Sequence, residues 1–333
     1  MNVEHPRRPC HPEHRCHPER SEGSMTDARH GSLASLGMTR RGLRCQNISG
    51  LEDFMTLPVP TLDHVVINAR DEMDRAQDLY RRLGFSLTER GYHSLGSTNH
   101  LAMFGTDYLE LIAVPKGATS GRLDLLTFPL GLNGLVFGSE DSAITYGALS
   151  KAGVPVEPPV EFTRPVKYTG GQGDARFRTV RMKNGVVPYG RVYYCHHFTR
   201  DLVWRDEWRH HANGTVAVQR AVIVEPDPAA GAKLYADMFG PEAVRDIKGG
   251  KAVVIGNSRF DIVTEAELKR QVGDAAPNPD GRKAYMAGLT FRTTSRVKAA
   301  QALQAGKIPF VQEDHRVVVP AKEAMGAVLE FIE

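Results

Sequence analysis

The chain has 333 residues, 41% of them hydrophobic and 24% charged, a composition that supports a folded core and excludes wholesale disorder. No apolar run approaches the roughly 18 residues of a membrane-spanning helix, and no apolar stretch follows the N-terminal basic residues as it would in a secretory leader. A cytoplasmic protein with no membrane partner is therefore expected. The formal charge of +3 sits in residues 1–50, which hold 8 Lys/Arg against 5 Asp/Glu. The balanced remainder has no bulk attraction for phosphate backbones, so nucleic-acid binding is not expected.

Residues 10–20, CHPEHRCHPER, repeat Cys-His-Pro-Glu and a basic residue. Cys10, His11, Cys16 and His17 suggest a zinc knuckle, but adjacent Cys-His pairs around Pro do not match zinc-finger spacings. The stretch reads instead as a tail or as translated upstream sequence, with Met55 as a good start, and residues 1–54 are set apart from the fold. Cys10, Cys16 and Cys45 lie in that segment; the body keeps Cys195 alone, so no internal disulfide framework is expected.

From residue 55 onward one layout recurs. LDHVVINARDEMDRAQDLYRRLGF begins at Leu62, LNGLVFGSEDSAITYGALSKAGVPV at Leu132, VQRAVIVEPDPAAGAKLYADMFG at Val218 and MAGLTFRTTSRVKAAQALQAGKIPF at Met286. Each is a strand pattern, a polar turn and an amphipathic helix. Gly84, Gly153, Gly240 and Gly306 stand where a helix closes on a left-handed residue. Each copy ends in a strand: YLELIAV, RVYYCHHF, RFDIVTE and AVLEFIE. A penultimate strand precedes it in HLAMFG, RFRTVRM, KAVVIG and HRVVVP.

The expected fold class is α+β, with four βαβββ modules arranged as two paired-module curved mixed sheets and the helices on the outside. One module leaves an apolar sheet face open, so modules should pair around a shared cleft. The polar stretch WRDEWRHHANGT (204–215) marks the expected boundary between residues 55–212 and 213–333.

The repeated unit, the opening LDHVVI, the Tyr-xx-Leu-Gly-Phe helix end and the YLELI strand resemble the vicinal-oxygen-chelate superfamily. More narrowly, GYHSLGSTNHLAMFGTDYLELIAV and YYCHHFTRDLVWRDEW are similar to glyoxalase-like domain proteins. The resemblance covers about residues 58–333 and is strongest in the first two modules. It implies a divalent metal (Mn, Fe, Ni or Zn) held by residues on the first and last strands of paired modules. His64 and Glu110 occupy two such positions. Gly134 aligns with His64 in the second module and cannot ligate, while His196 and His197 end its last strand; His197 fits the resemblance better. Arg220 and Gly288 match His64 in the second pair, and Asp261 and Glu330 match Glu110, so no metal is expected there.

Around the cleft, His93 is the candidate acid–base group, because imidazole titrates near neutrality. Asn99, His100 and Tyr194 are candidate substrate contacts. Trp204 and Trp208 are read as stapling the linker onto the sheet, and Cys195 as a buried, inert thiol. No phosphate loop, nucleophile elbow or dinucleotide fingerprint is present. The expectation is a metal-dependent enzyme acting on a small oxygenated organic molecule, by lyase, isomerase or dioxygenase chemistry. The alternative is a metal-free protein that binds or sequesters a small molecule, and a homodimer remains open.

Overall fold

Every residue of LDHVVIN after its first is buried, and this segment forms β1 (Leu62–Asn68). The computed structural model describes residues 57–333; the paired Cys-His sequence and the start at Met55 lie outside the described residues. Helix α1 (Met73–Arg82) turns Met73, Ala76 and Tyr80 inward at three- and four-residue steps. Strands β2 (Gly91–Tyr92), β3 (Thr98–Met103) and β4 (Tyr108–Ala113) complete the module. The second module is β5 (Gly131–Gly138), α2 (Ser142–Lys151), β6 (Val160–Tyr168), β7 (Gly171–Arg181) and β8 (Arg191–His197). The third is β9 (Thr215–Val224), α3 (Pro228–Phe239), β10 (Val244–Ile247), β11 (Gly250–Ile255) and β12 (Ser258–Val263). An additional helix, α4 (Glu265–Val272), leads to the fourth: β13 (Tyr285–Thr293), α5 (Arg296–Ala305), β14 (Val311–Gln312), β15 (Val317–Val319) and β16 (Val328–Ile332).

Local chemistry explains the helix starts and stops. Asp141, Asp227 and Ser295 accept bonds from backbone N–H groups two or three residues on, capping α2, α3 and α5. Gly84, Gly153 and Gly240 take positive φ as expected, but Gly306 does not. There Lys307 adopts the left-handed conformation, at φ 55°. Gly306 serves close approach instead, because an added Cβ would lie 1.9 Å from the Arg82 carbonyl oxygen.

Two eight-stranded sheets result, in the orders β2-β3-β4-β1-β5-β8-β7-β6 and β10-β11-β12-β9-β13-β16-β15-β14. Within each module the first and last strands run parallel. The first strands of paired modules, β1 with β5 and β9 with β13, run antiparallel. Two repeats thus form one sheet by an approximate twofold. Helices α1, α2, α3 and α5 lie on the faces turned away from the clefts, outside the two cups as the sequence implies.

Those faces share one apolar core. Phe137 on β5 lies 4.9 Å from Phe239 and 6.2 Å from Phe260. Phe85 reaches Phe291 at 5.2 Å, and the Tyr189 and Tyr235 hydroxyls share a 2.5 Å bond. The linker is pinned as well: His211 Nδ1 accepts from the Ser86 N–H, and its Nε2–H donates to the Met103 carbonyl. The described residues, 57–333, belong to a single compact unit. No helix among the described residues is long and apolar enough to cross a membrane.

Two predictions follow from the shared core. Phe137→Ala should cost about 3–5 kcal/mol, as large aromatic truncations do. Near-UV and far-UV signals should fall together in one denaturant transition, whereas separate transitions would mean the halves fold independently. The second concerns Asp107, whose carboxylate accepts the Val218 N–H across the two halves at 2.8 Å. Burial pushes its pKa up to about 7, against the opposing Val218 bond. The folded chain therefore keeps a proton that the unfolded chain releases, and stability falls as pH rises through roughly 4 to 7. Asp107→Asn should remove this slope, raising stability by up to about 4 kcal/mol near pH 8 and leaving it unchanged near pH 4.

Candidate functional site

Strand register identifies the equivalent positions of the four modules. His64 pairs with Tyr108 across β1 and β4, and Glu110 lies two residues further on. Gly134 pairs with Arg191 across β5 and β8, so the equivalent of Glu110 is Tyr193. In the second sheet, Arg220 pairs with Arg259 and Gly288 with Val328, which makes Asp261 and Glu330 the matching residues. The positions that face the cleft are therefore His64, Gly134, Glu110 and Tyr193 in one sheet, and Arg220, Gly288, Asp261 and Glu330 in the other.

In the first sheet His64, Glu110 and Tyr193 line a cavity of about 380 Å³. His64 Nδ1 is 2.6 Å from Asp63 Oδ1, and because a carboxylate only accepts, that nitrogen carries the proton. His64 Nε2 then faces Glu110 Oε2 at 3.7 Å and the Tyr193 hydroxyl at 3.3 Å. The imidazole stacks on Tyr108, with centroids 4.3 Å apart. Glu110 Oε1 accepts a 2.7 Å bond from the Asn99 amide. Burial would raise the Glu110 pKa, but the neighboring imidazoles of His64 and His93, the Asn99 bond and Arg191 outweigh it and hold it down.

His93 also lines the cavity, between Ser97 Oγ at 2.9 Å and Asn99 Nδ2 at 3.3 Å. The amide can only donate, so His93 Nε2 accepts and Nδ1 donates to Ser97. Burial lowers its pKa to about 4, leaving a neutral imidazole at physiological pH. Gly91 leaves room beside it, since an added Cβ would lie 2.4 Å from Asn99 Oδ1 and 2.5 Å from the Arg164 side chain and both would have to shift.

The structure does not gather the other expected residues here. His197 lies four residues past Tyr193 on the same strand face, and its Nε2 turns to Asp63 Oδ1 at 3.1 Å. It borders a separate cavity of about 430 Å³ instead. The expected set of His64, Glu110 and His197 therefore does not converge. Tyr194 has the opposite strand parity and is buried in the shared core against Phe137 and Phe239. His100 likewise turns from the cavity, its Nδ1–H donating to the Thr88 carbonyl. Trp204 packs on Tyr108 and His197, closing the linker over the sheet. Cys195 is buried and burial pushes its thiol pKa well up, as an inert thiol requires.

Sequence reasoning missed Asp63, Tyr193 and several arginines. Alternation puts Asp63 on the face opposite His64, but the β1–β5 register shifts between Leu62 and His64. That bulge lets one Asp63 oxygen take bonds from both His64 and His197. Burial opposes the charge, yet His197 and His64 together hold the Asp63 pKa well below the usual range. Among the described residues, the one trio of ligand-type side chains with donor atoms all within 4.8 Å of one another is Asp63, Cys195 and His197.

The second cleft is closed. Helix α4 lays Leu268 against Val222, Val224, Val263 and Tyr285. The Arg220 guanidinium occupies the center, donating to Glu330 at 2.8 Å, Thr290 at 3.2 Å and Asp261 at 3.3 Å.

A model of the glyoxalase-like domain matches residues 62–239, more than half of the chain. Comparison with curated proteins finds no match. Among solved structures, a hypothetical protein from Staphylococcus aureus is similar at TM-score 0.56 and 12% identity, over 82% of this chain and 99% of that one. A mutant of 4-hydroxymandelate synthase from Streptomyces coelicolor gives TM-score 0.50 and 12% identity, over 83% and 93%. A xylose isomerase-like TIM barrel/4-hydroxyphenylpyruvate dioxygenase fusion protein gives 0.50 and 11%, over 83% of this chain and 49% of that one. At these identities the structural likenesses establish the fold alone. The repeated modules, their register and the matched domain together place this chain in the glyoxalase-like domain family.

Proposed function

We propose that the chain is a metal-dependent enzyme acting on a small oxygenated organic molecule, with His64 and Glu110 as protein ligands and Tyr193 beside them. The observation that carries this reading is the pair of donors 3.7 Å apart, His64 Nε2 and Glu110 Oε2, with His64 Nδ1 tied to Asp63. A histidine that donates its second nitrogen to a carboxylate is oriented as metal-binding histidines are. Two electron-pair donors facing each other in a buried site call for a cation or a proton between them. Imidazole and carboxylate donors suit manganese, iron, nickel or zinc.

When bound, such a cation supplies Lewis-acid stabilization of developing negative charge on a substrate oxygen. The chain's own groups complete the chemistry. His93 is neutral and next to Glu110, with Nε2 able to accept a proton once the Asn99 amide gives way. The Tyr193 hydroxyl can donate to a substrate oxygen at the same point. Leu101, Ile112, Phe162 and Phe177 wall the cavity and limit water, which strengthens each polar contact inside.

A metal-free binding protein is the second reading, supported by Gly134, where an added Cβ would lie 2.8 Å from the Val66 side chain and no ligand is possible. Metal content after reconstitution with each of the four metals separates the two. Near-stoichiometric metal is expected in the wild type, with loss of about tenfold or more in affinity for His64→Ala and Glu110→Gln at unchanged far-UV circular dichroism. No bound metal under any of the four conditions would overturn the enzyme reading in favor of the binding protein.

A further inference from the structure

The cavity beside Tyr193 carries more positive charge than its neighbors neutralize. Arg122, Arg181 and Arg191 all line it, from a loop, the end of β7 and the start of β8. Arg181 pairs directly with Tyr193 across β7 and β8, and Arg191 is two residues before Tyr193 on the same strand face. Arg122 is matched by Asp124, which takes two bonds at 2.8 Å and 2.7 Å. Arg181 and Arg191 have no such partner: among the described residues, neither has a carboxylate within ion-pair distance. Arg191 is aimed by Asn133, whose side-chain oxygen accepts from its Nε at 2.8 Å. Its Nη2 is buried and makes no hydrogen bond.

A buried guanidinium hydrogen left unpaired is costly, and cations with no paired carboxylate in the same cavity add to that cost. The arrangement is relieved by an anion with several acceptor oxygens, which a guanidinium fork matches in geometry. Apolar side chains cover the adjoining walls, including Phe128, Val187 and Val192. The complementary molecule has an oxyanionic head and an apolar body.

We propose that Arg181 and Arg191, with the Arg122–Asp124 pair beside them, form an anion-recognition subsite that selects substrates bearing a carboxylate or phosphate group next to Tyr193. This names the substrate class for the site proposed above and rests on the same cavity, but not on a metal being bound there. Arg122 adds to the cost: burial first, then Arg122, depresses the pKa of Arg181, and burial, with Arg122 in the same direction, depresses that of Arg191.

Calorimetric titration of the full chain tests this with three probes that share a phenyl ring: benzoate, phenyl phosphate and the neutral benzamide. Benzoate, phenyl phosphate or both should bind about tenfold or more tightly than benzamide, the worth of one or two charge-assisted bonds. Arg181→Gln and Arg191→Gln should each erase that preference, while Arg176→Gln, which removes a surface cation, should leave it intact. Arg181 keeps the test open if the more enclosed Arg191 variant folds poorly. Tighter benzoate assigns the head as a carboxylate, and tighter phenyl phosphate as a phosphate ester. Equal behavior of the three probes, including no binding by any, overturns the proposal, as does a preference unchanged in Arg181→Gln. Repeating the titration after chelation separates the two readings, because failure of the metal site leaves anion selectivity in place and failure of the anion subsite leaves metal content in place.

Discussion

Each of the two sheets buries a carboxylate at the center of its cleft face, and much of what surrounds it follows from the need to satisfy that charge. In the second sheet the solution is internal. Arg220 replaces the first-strand histidine and donates to Glu330 and Asp261, and α4 then seals the cleft with Leu268. In the first sheet Glu110 is met by an imidazole, an amide and distant arginines, and no helix fills the space. One half is a closed ionic knot, and the other keeps a cavity whose donors point inward. The difference turns on which residue stands at one equivalent position, His64 or Arg220.

Cleft and core divide the two faces of each strand. Val65 and Ile67 feed the core, while on the other face His64 lines the cavity and Val66 packs into the cluster beside it. The core runs without a break through both sheets, so the site rests on packing contributed by all four modules. Phe85 and Phe104, from the first module, pack on Phe291 of the fourth. The closed half thereby supports the open one, a role that requires no chemistry in its own cleft.

Much of the fold was legible because its signals are local. Helical spacing such as Met73, Ala76 and Tyr80, and the terminal glycines, repeat at each module and fix its layout. His64 and Glu110 were named through the family resemblance, and the structure places both on the cavity wall of the first sheet. What alternation supplies is parity, and parity does not say how far along a strand the site lies. His197 has the parity of Tyr193 but sits four residues too far, while Tyr194 has the wrong parity and joins the core. Asp63 was hidden by a bulge that breaks alternation. The arginines come from three separate segments, brought together only by tertiary structure. Helix α4 did carry a signal: Thr264 followed three residues on by Glu267 is a capping pattern, and Thr264 Oγ1 accepts the Glu267 N–H.

The claim on which the functional account depends is that the first sheet recruits a metal at the position where the second sheet places the Arg220 guanidinium. Anomalous diffraction from crystals equilibrated with manganese measures this directly. The account predicts one strong peak within coordination distance of both His64 Nε2 and Glu110 Oε2, and none beside Arg220. A peak among Asp63, Cys195 and His197, or no peak in the first cleft, would contradict it.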